Sequence, residues 1–444
     1  MAKKIIYQAL PRLWGSRKMA DWDGPEFAYL QSLGVDYIWY TGIPRHATGK
    51  PFVKGNPGSP YAITDWYDVN PYLATDPARR MEEFDALVQR THIAGLRLLI
   101  DYIPNHVAPD YEGPIRRFDW CDGDWTDTRK NDWSAPETRA EMLRILRFWA
   151  SRGVDGFRCD MVELVPPEAL KALISAVKAE YPDLIFVAEV YKKENYRPYL
   201  EDVGFDLLYD KSGLYDTLRA ICCDHGSARG ITWNWQWLGS LQPRVLNFLE
   251  NHDEQRLASP EFLGSARRGL APLACSLLLN TAPFMLYFGQ EVGENGIEGA
   301  CGRTSIFNWS DPPELRDLWR EIRENRPLKR PEATLLARYR QLFAYAKRPA
   351  FAEGGTWDLT YCNESAPGYD PERHFAFVRY DAQEAWLVVC NFSDAPARMR
   401  LTLPEELRAA RPGIPAAKSA TVPPFDATIL SLPIKIITGS QGAA

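Results

Sequence analysis

Eight short apolar segments that alternate with amphipathic helical patterns restrict the fold of this chain more than any other feature. The alternation runs from residue 4 to about residue 326 of a 444-residue chain. It is typical of parallel sheets, and eight strand–helix units are enough to close a (β/α)8 barrel, an α/β fold. The predicted strands are Ile5–Ala9, Tyr37–Thr41, Leu96–Asp101, Gly156–Asp160, Ile185–Glu189, Phe205–Leu208, Val245–Leu249 and Phe284–Phe288.

The spacing of the strands indicates one interruption of the barrel. The third and fourth strands lie farther apart than one unit requires, and residues 107–136 between them are rich in Asp, Trp, Gly and Pro. We therefore expect a short loop excursion over 107–136 and a barrel formed by residues 1–106 and 137–347. The predicted helices include Met81–Ala94, Glu137–Ser151, Pro167–Glu180 and Gly264–Leu279.

The pattern changes after about residue 330. One more helix fits Leu335–Lys347, and residues 348–435 then alternate in the manner of a small antiparallel β-sandwich. Residues 436–444 are mostly small or polar, which predicts a flexible tail. The predicted sandwich strands are His374–Tyr380, Ala385–Asn391, Met399–Leu403 and Ala427–Leu432.

Charge and cysteine content exclude several kinds of partner. With 52 basic and 58 acidic residues the net charge is −6, so no basic excess exists to bind nucleic acid. No apolar run approaches the roughly 20 residues of a membrane span, and no secretory signal precedes Gln8. The eight cysteines form no CxxC pair and are expected to be buried free thiols, with Cys159 packed between barrel and helices. These features favour a cytoplasmic protein and leave the oligomeric state open.

Polar clusters follow four of the predicted strands. Active groups of parallel barrels lie at the carboxyl ends of the strands. A charged residue there costs free energy unless it is paired or functional, so four clusters together indicate an active site. The clusters are Asp101, Asn105 and His106; Arg158 and Asp160; Glu189; and Asn251, His252 and Asp253.

These clusters resemble the four signature regions of the α-amylase family of glycoside hydrolases, family 13. The regions read DxxxNH, GxRxD, a strand-final Glu and FxxNHD, and all four occur here in the family's order. The resemblance continues in Ser59-Pro-Tyr61-Ala-Ile-Thr-Asp65-Trp and in Tyr287-Phe-Gly-Gln-Glu291. It extends over the barrel and the C-terminal β-domain, and implies an enzyme that cleaves or transfers α-glucosidic bonds with retention.

The resemblance implies a role for each matched residue. Asp160 matches the nucleophile, Glu189 the general acid/base, and Asp253 the third carboxylate, which binds sugar hydroxyls. Structural alternatives are a buried ion pair, a strand-end cap and a helix cap, respectively. The implied substrate-binding residues are Tyr61, Asp65, His106, Arg158 and His252.

Elementary chemistry agrees with these roles. Retaining hydrolysis needs two carboxyl groups about 5–5.5 Å apart, one ionised and one protonated. Arg158 and Asp160 are two residues apart on a strand, so they share a face, and Arg158 is expected to lower the pKa of Asp160. Glu189 has no basic neighbour in its own segment, so nearby carboxylates are expected to raise its pKa.

A calcium site is one of two interpretations for Asn105. In many family members the matching Asn binds a structural calcium, helped by an Asp from the domain-B-like excursion. No such Asp could be matched in 107–136, so hydrogen-bonding scaffold roles for Asp101 and Asn105 remain the alternative. No cofactor is expected to be required.

The chain has 15 tryptophans, more than a core alone explains. Trp233, Trp235 and Trp237 alternate, so in an extended segment they would share a face. That face would stack on sugar rings or pack against the barrel rim. The same alternatives hold for the excursion tryptophans, Trp120, Trp125 and Trp133.

The expected substrate is an α-glucan or a maltooligosaccharide. After the nucleophile the chain reads Met161-Val162-Glu163, without the Lys-His pair found further on in many α-amylases, which argues against ordinary starch endo-hydrolysis. The alternatives are a glucan transglycosylase and, in another class, a non-catalytic glucan-binding or partner-supporting homologue. Linkage, chain-length preference and endo or exo action stay open.

Overall fold

The computed structural model describes residues 3–435; the tail predicted over 436–444 lies outside these residues. Eight parallel strands close into a barrel in chain order, as predicted, and each lies within two residues of its predicted bounds. The first strand pairs with the eighth through Ile5 and Phe284, which closes the ring. Barrel strands one to eight are Ile5–Ala9, Tyr37–Tyr40, Arg97–Tyr102, Gly156–Cys159, Ile185–Ala188, Leu207–Tyr209, Val245–Phe248 and Phe284–Tyr287.

Alternate residues of each strand belong to different apolar layers. Ile6, Leu99 and Met285 belong to the cluster inside the barrel, whereas their neighbours Ile5 and Leu98 pack in the layer beneath the helices. Strands buried on both faces must be continuously apolar, which is why the sequence predicted them well.

Helices cover the outside of the barrel. The helix predicted over Gly264–Leu279 begins later, at Leu270, after a 3-10 turn over Ala266–Gly269. The helix predicted over Leu335–Lys347 begins earlier, at Arg330. The longer helices are Gly24–Ser32, Arg80–Ile93, Pro136–Ser151, Pro167–Glu180, Asp216–Cys222, Arg229–Leu238, Leu270–Leu278, Pro313–Glu324 and Arg330–Ala346.

Two excursions rise from the carboxyl end of the barrel. The predicted excursion contains a short ladder between His106–Val107 and Arg129–Lys130. A second excursion, not predicted, is the hairpin Pro44–His46 with Ile63–Val69 after strand two. Its loop includes Tyr61, so it matters for the site described below.

The C-terminal residues form an antiparallel β-sandwich, as predicted. A four-stranded sheet comprises Gly355–Asp358, His374–Tyr380, Ala385–Asn391 and Ala427–Leu432, and Ala397–Thr402 pairs with Ala417–Val422. Phe375, Phe377 and Val388 of the larger sheet belong to the same core as the barrel helices. Ala376 and Val378, which alternate with them, pack in the separate core of the sandwich.

The segment with Trp233, Trp235 and Trp237 is helical, Arg229–Leu238, so the shared face expected of an extended segment does not form. On a helix, positions i and i+4 share a face and position i+2 does not. Trp233 and Trp237 are therefore exposed, by 66% and 48%, whereas Trp235 is half-buried.

Within residues 3–435 all eight cysteines are free thiols, as predicted. The expectation that they would be buried was wrong for most of them: Cys159, Cys275 and Cys390 are buried, Cys301 is exposed and the other four are partly exposed. Cys159 is 1% exposed and belongs to the core layer between the barrel and its helices. In this part of the chain, every helix is too short or too polar to cross a lipid bilayer.

Candidate active site

The carboxyl ends of the barrel strands bring three carboxylates into one cavity of about 220 Å³. Asp160 directly follows strand four, Glu189 directly follows strand five, and Asp253 lies in the loop after strand seven. Tyr61, His106 and His252 line the same cavity. Residues nearly 200 positions apart therefore meet as the strand-end argument predicts.

Arg158 is the centre of the charge arrangement. Its side chain is fully buried, with Nη1 2.5 Å from Oδ1 of Asp160 and Nη2 2.8 Å from Oε1 of Glu189. The guanidinium also lies 3.7 Å from Asp101 and 4.0 Å from Asp253. One planar cation thus offsets part of the negative charge of a group of carboxylates, of which Asp101, Asp160 and Glu189 are buried.

Burial and charge give the three carboxylates different proton affinities. Burial raises the pKa of Glu189 to about 7, although Arg158 opposes the shift. Arg158 lowers the pKa of Asp160, as expected, but burial outweighs this effect and the net shift of the pKa is upward. Burial acts the same way on Asp253, but His252 and Arg158 outweigh it and hold the pKa at about 2. At neutral pH Glu189 therefore holds a proton for part of the time and Asp253 does not.

Glu189 is held by two hydrogen-bond donors that the sequence analysis did not identify. The backbone N–H of Met161 donates to Oε2 at 2.8 Å, and the Tyr191 hydroxyl donates to Oε1 at 2.7 Å. Met161 has φ 43° and ψ 43°, a left-handed conformation that is uncommon for a side chain of this size. The one sequence feature that could have pointed to Tyr191 is its position two residues after Glu189.

His252 connects the aromatic wall of the cavity to Asp253. Its ring stacks on Tyr61, with centroids 5.2 Å apart, and Nε2 lies 2.6 Å from the Tyr61 hydroxyl and 2.9 Å from Oδ2 of Asp253. On the other side, Nδ1 lies 2.7 Å from the side-chain amide of Gln8. Tyr61 also donates to Asp101 at 3.3 Å.

His106 enters the cavity as a neutral imidazole. Burial lowers its pKa to about 4. Its Nε2 is buried and, within residues 3–435, has no hydrogen-bond partner. A substrate hydroxyl is the kind of group that would satisfy this nitrogen.

Asp65 does not join the other predicted residues. It lies on the hairpin strand Ile63–Val69, where Oδ1 accepts the backbone N–H of Tyr67 at 2.9 Å. It does not line the cavity. Its contacts in this structure are those of a local turn.

The excursion tryptophans take three different positions. Trp125 lines the cavity, with its ring 5.6 Å from that of His106. Trp120 stacks on Phe118 and is 47% exposed. Trp133 is buried and donates to a backbone carbonyl at 3.1 Å. Only Trp125 is positioned to contact a ligand in this cavity.

The surroundings of Asn105 do not fit a calcium ion. The ammonium group of Lys130 lies 3.0 Å from Oδ1 of Asn105 and 2.9 Å from Oδ2 of Asp122, and 3.5 Å from the carbonyl oxygen of Leu164. Calcium takes six to eight oxygen ligands, and here the facing oxygens already surround a cation. Among residues 3–435, no cluster of three or more His, Cys, Asp or Glu side chains could hold a metal.

Comparisons with known proteins agree with this architecture. A family model described as the α-amylase catalytic domain matches residues 17–120 and 120–334. Alpha-amylase 3 of Dictyoglomus thermophilum is 24% identical over 64% of this chain, and alpha-amylase MalA of Haloarcula japonica is 28% identical over 89%. This chain spans 62% and 56% of the lengths of those two relatives.

Solved structures give the same fold over nearly the whole chain. A maltogenic α-amylase from Thermotoga neapolitana has a TM-score of 0.73 at 23% identity, covering 97% of this chain and 96% of that one. An α-amylase from Lactobacillus plantarum has the same TM-score at 19% identity, covering 96% and 98%. The matched family model spans well over half of the chain and includes the three carboxylates. This protein therefore belongs to the α-amylase family.

Proposed function

We propose that the protein is a retaining glycoside hydrolase that cleaves α-glucosidic bonds in α-glucans or maltooligosaccharides. The contact of Arg158 with both Asp160 and Glu189 in one cavity is the observation that carries this proposal. A single guanidinium holds both carboxyl groups beside the same space, as double displacement requires.

In the first step, Asp160 attacks the anomeric carbon of the bound sugar. The glycosidic C–O bond breaks, Glu189 donates its proton to the leaving oxygen, and a covalent glycosyl-enzyme forms. In the second step, Glu189 takes a proton from water, the resulting hydroxide oxygen attacks the anomeric carbon, and Asp160 is released. The proton of Glu189 is thus restored in each cycle, which suits a pKa of about 7.

Asp253, His252 and His106 are proposed to bind the hydroxyls of the sugar that is cleaved. Asp253 remains ionised and accepts hydrogen bonds, while the free Nε2 of His106 offers another polar contact. Tyr61, stacked on His252, supplies a flat wall for the sugar ring.

Two substitutions test this assignment. We expect Asp160→Asn and Glu189→Gln each to lower turnover of maltooligosaccharides by at least about 100-fold, because a nucleophile or a proton donor is lost. Asp65→Asn is the matched control, since Asp65 lies outside the cavity. Near-normal turnover by either active-site variant, with an unchanged circular dichroism spectrum, would contradict the mechanism. Products longer than the substrate would indicate transfer to a sugar instead of water.

We further propose that no calcium is required at Asn105. The Lys130 ammonium takes the place of the ion there and holds the excursion to the barrel through Asp122. The positive charge is then part of the chain itself, so its presence does not depend on the metal content of the medium.

A cytoplasmic location is proposed from the thiols. Eight free cysteines, three of them buried, suit a reducing compartment. The protein is purified without a reducing agent, unfolded, treated with a thiol-alkylating reagent and weighed by mass spectrometry. We expect all eight cysteines to carry the alkyl group.

A further inference from the structure

A second cavity lies between the helix Arg229–Leu238 and the C-terminal sheet. Its volume is about 430 Å³, within the range of about 300–1,000 Å³ found for small-molecule sites. No residue lines both this cavity and the catalytic one. The proposed hydrolytic mechanism makes no use of it. We refer to it as the sheet–helix cavity.

Aromatic rings form most of its apolar wall. Trp235 contributes from the helix, and Trp357, Tyr361 and Tyr380 contribute from the C-terminal residues. Tyr361 is 62% exposed, and its hydroxyl accepts a hydrogen bond from Nε1 of Trp357 at 3.3 Å. This bond links the two side chains, so the rings are oriented before any ligand arrives, which lowers the entropy cost of binding.

The polar part of the wall suits a neutral ligand. No lysine or arginine of residues 3–435 lines the cavity, so a phosphate or carboxylate would find no cation there. Asp358 is engaged by the hydroxyl of Thr232 and by the backbone N–H of Thr360. The amide of Gln236, an exposed residue, offers both a donor and an acceptor. Flat rings with a few hydrogen-bonding groups match the C–H faces and hydroxyls of a pyranose.

We propose that the sheet–helix cavity binds a segment of an α-glucan chain outside the catalytic site. The choice of an α-glucan as ligand rests on the proposed function, whereas the neutral, ring-stacking character of the ligand rests on the cavity itself. Such a site would keep a long polymer on the enzyme while a different part of it is cleaved.

Affinity electrophoresis in gels that contain soluble starch tests the proposal. We expect Tyr361→Ala and Trp357→Ala to weaken the starch-dependent retardation by about 2- to 10-fold, the cost of one or two lost ring contacts. The measurements use the Asp160→Asn background, so that the starch is not degraded during the run. Trp233→Ala is the matched control, because Trp233 is 66% exposed on the same helix but does not line the cavity.

Three outcomes would overturn the proposal. Unchanged retardation of both cavity variants means that the cavity does not bind starch. An equal loss with Trp233→Ala places the binding on the open helix face instead. Equal retardation by a β-glucan removes the α-glucan assignment. Turnover of maltotriose by the Asp160-containing protein and its Tyr361→Ala variant is measured separately; no turnover by either would end the proposed function without affecting the binding result.

Discussion

At the scale of single residues, Arg158 holds together charges that would otherwise repel. It contacts Asp160 and Glu189 directly, and all three side chains are buried. Removing one partner of a buried charge group usually lowers the free energy of unfolding by more than the intact group contributes to it. The reason is that the remaining charges stay buried without a partner. The activity and the stability of this site are therefore linked through one side chain.

We expect Arg158→Met to lower the free energy of unfolding by about 3–5 kcal/mol at pH 7. The loss should be smaller at pH 5. Without Arg158 the folded-state pKa values of Asp160 and Glu189 rise further above their unfolded values, so the penalty is present at high pH and declines as pH falls through them. Urea unfolding at both pH values measures the difference. Arg147→Met, which removes an exposed pair with Glu180, is the control and should cost no more than about 1 kcal/mol; a pH-independent loss for Arg158→Met would contradict the charge argument.

Tyr191 is expected to set the proton affinity of Glu189. Its hydroxyl donates to the carboxylate, and hydrogen bonds to a charged group are stronger than those to its neutral form. Tyr191→Phe should raise the pKa of Glu189 above about 7 and move the basic limb of kcat/KM to higher pH.

The pH profile of kcat/KM checks this prediction. In the unsubstituted protein, activity should fall as pH rises through about 7, because Glu189 loses the proton that the proposed mechanism requires it to donate. Tyr199→Phe serves as control, since the Tyr199 hydroxyl donates to the Val162 carbonyl and not to Glu189. A basic limb at the same pH in Tyr191→Phe and in the unsubstituted protein would show that Tyr191 has no such role.

At the scale of elements, the excursion over 107–136 is fastened to the barrel by a charge of its own. Lys130 lies on the short excursion ladder and binds both Asn105, which follows strand three, and Asp122. Asn105 is the neighbour of His106, so loosening this contact should disturb the part of the cavity that His106 lines as well as the fold.

We expect chelation with EDTA to leave both the melting temperature and the activity unchanged, because Lys130 supplies the positive charge at Asn105.

Lys130→Met should lower the melting temperature by several degrees and raise KM, because Asp122 and Asn105 lose their shared donor. Differential scanning calorimetry and steady-state kinetics give both values. Lys171→Met, which changes an exposed helical lysine, controls for the lost charge. A loss of activity in EDTA that calcium restores would contradict the expectation that chelation has no effect.

Sequence patterns predicted the elements that are apolar on both faces and missed those that are not. All eight barrel strands were found, whereas Gly355–Asp358 and Ala417–Val422 were missed because they are half-exposed and contain many polar residues. The hairpin strand Ile63–Val69 was missed for the same reason. The tryptophans at 233, 235 and 237 have the two-residue period of a strand, although they lie on a helix.

The site was predicted as far as the family motifs extend. Asp160, Glu189, Asp253 and their basic neighbours meet in one cavity because strand ends fix their positions. Tyr191 was not identified, because its contact with Glu189 depends on the path of a loop. Lys130 and Asp122 lie outside any motif and meet only in the folded chain.

At the scale of the whole molecule, Arg379 joins the β-sandwich to the barrel. It is 1% exposed and donates to the carbonyls of Ala350, Phe351 and Gly354 at 2.8–3.1 Å, and to that of Leu279 at 3.3 Å. Burial lowers its pKa to about 9, which reflects how completely the guanidinium is removed from water. Because the larger sheet shares its core with the barrel helices, we expect the two parts to unfold together.

Arg379→Met should lower the free energy of unfolding by at least about 2 kcal/mol, because several buried carbonyls lose their donor. Calorimetry should still record one transition, at a lower temperature, and turnover of short substrates well below that temperature should stay unchanged. Arg398→Met, on an exposed position of the smaller sheet, is the control. Two separate transitions in the unsubstituted protein would refute the shared-core argument.

The closure of the barrel by Ile5 and Phe284 has a consequence for the chain as it is synthesised. The first strand cannot obtain its second neighbour until about 280 further residues have been made. At a translation rate of about 5–20 residues per second, this edge of the first strand stays unpaired for roughly 15–55 s. An apolar strand with an open edge is prone to pair with other chains during that time. The yield of folded protein in cells should therefore depend on translation speed and on chaperones that shield nascent chains.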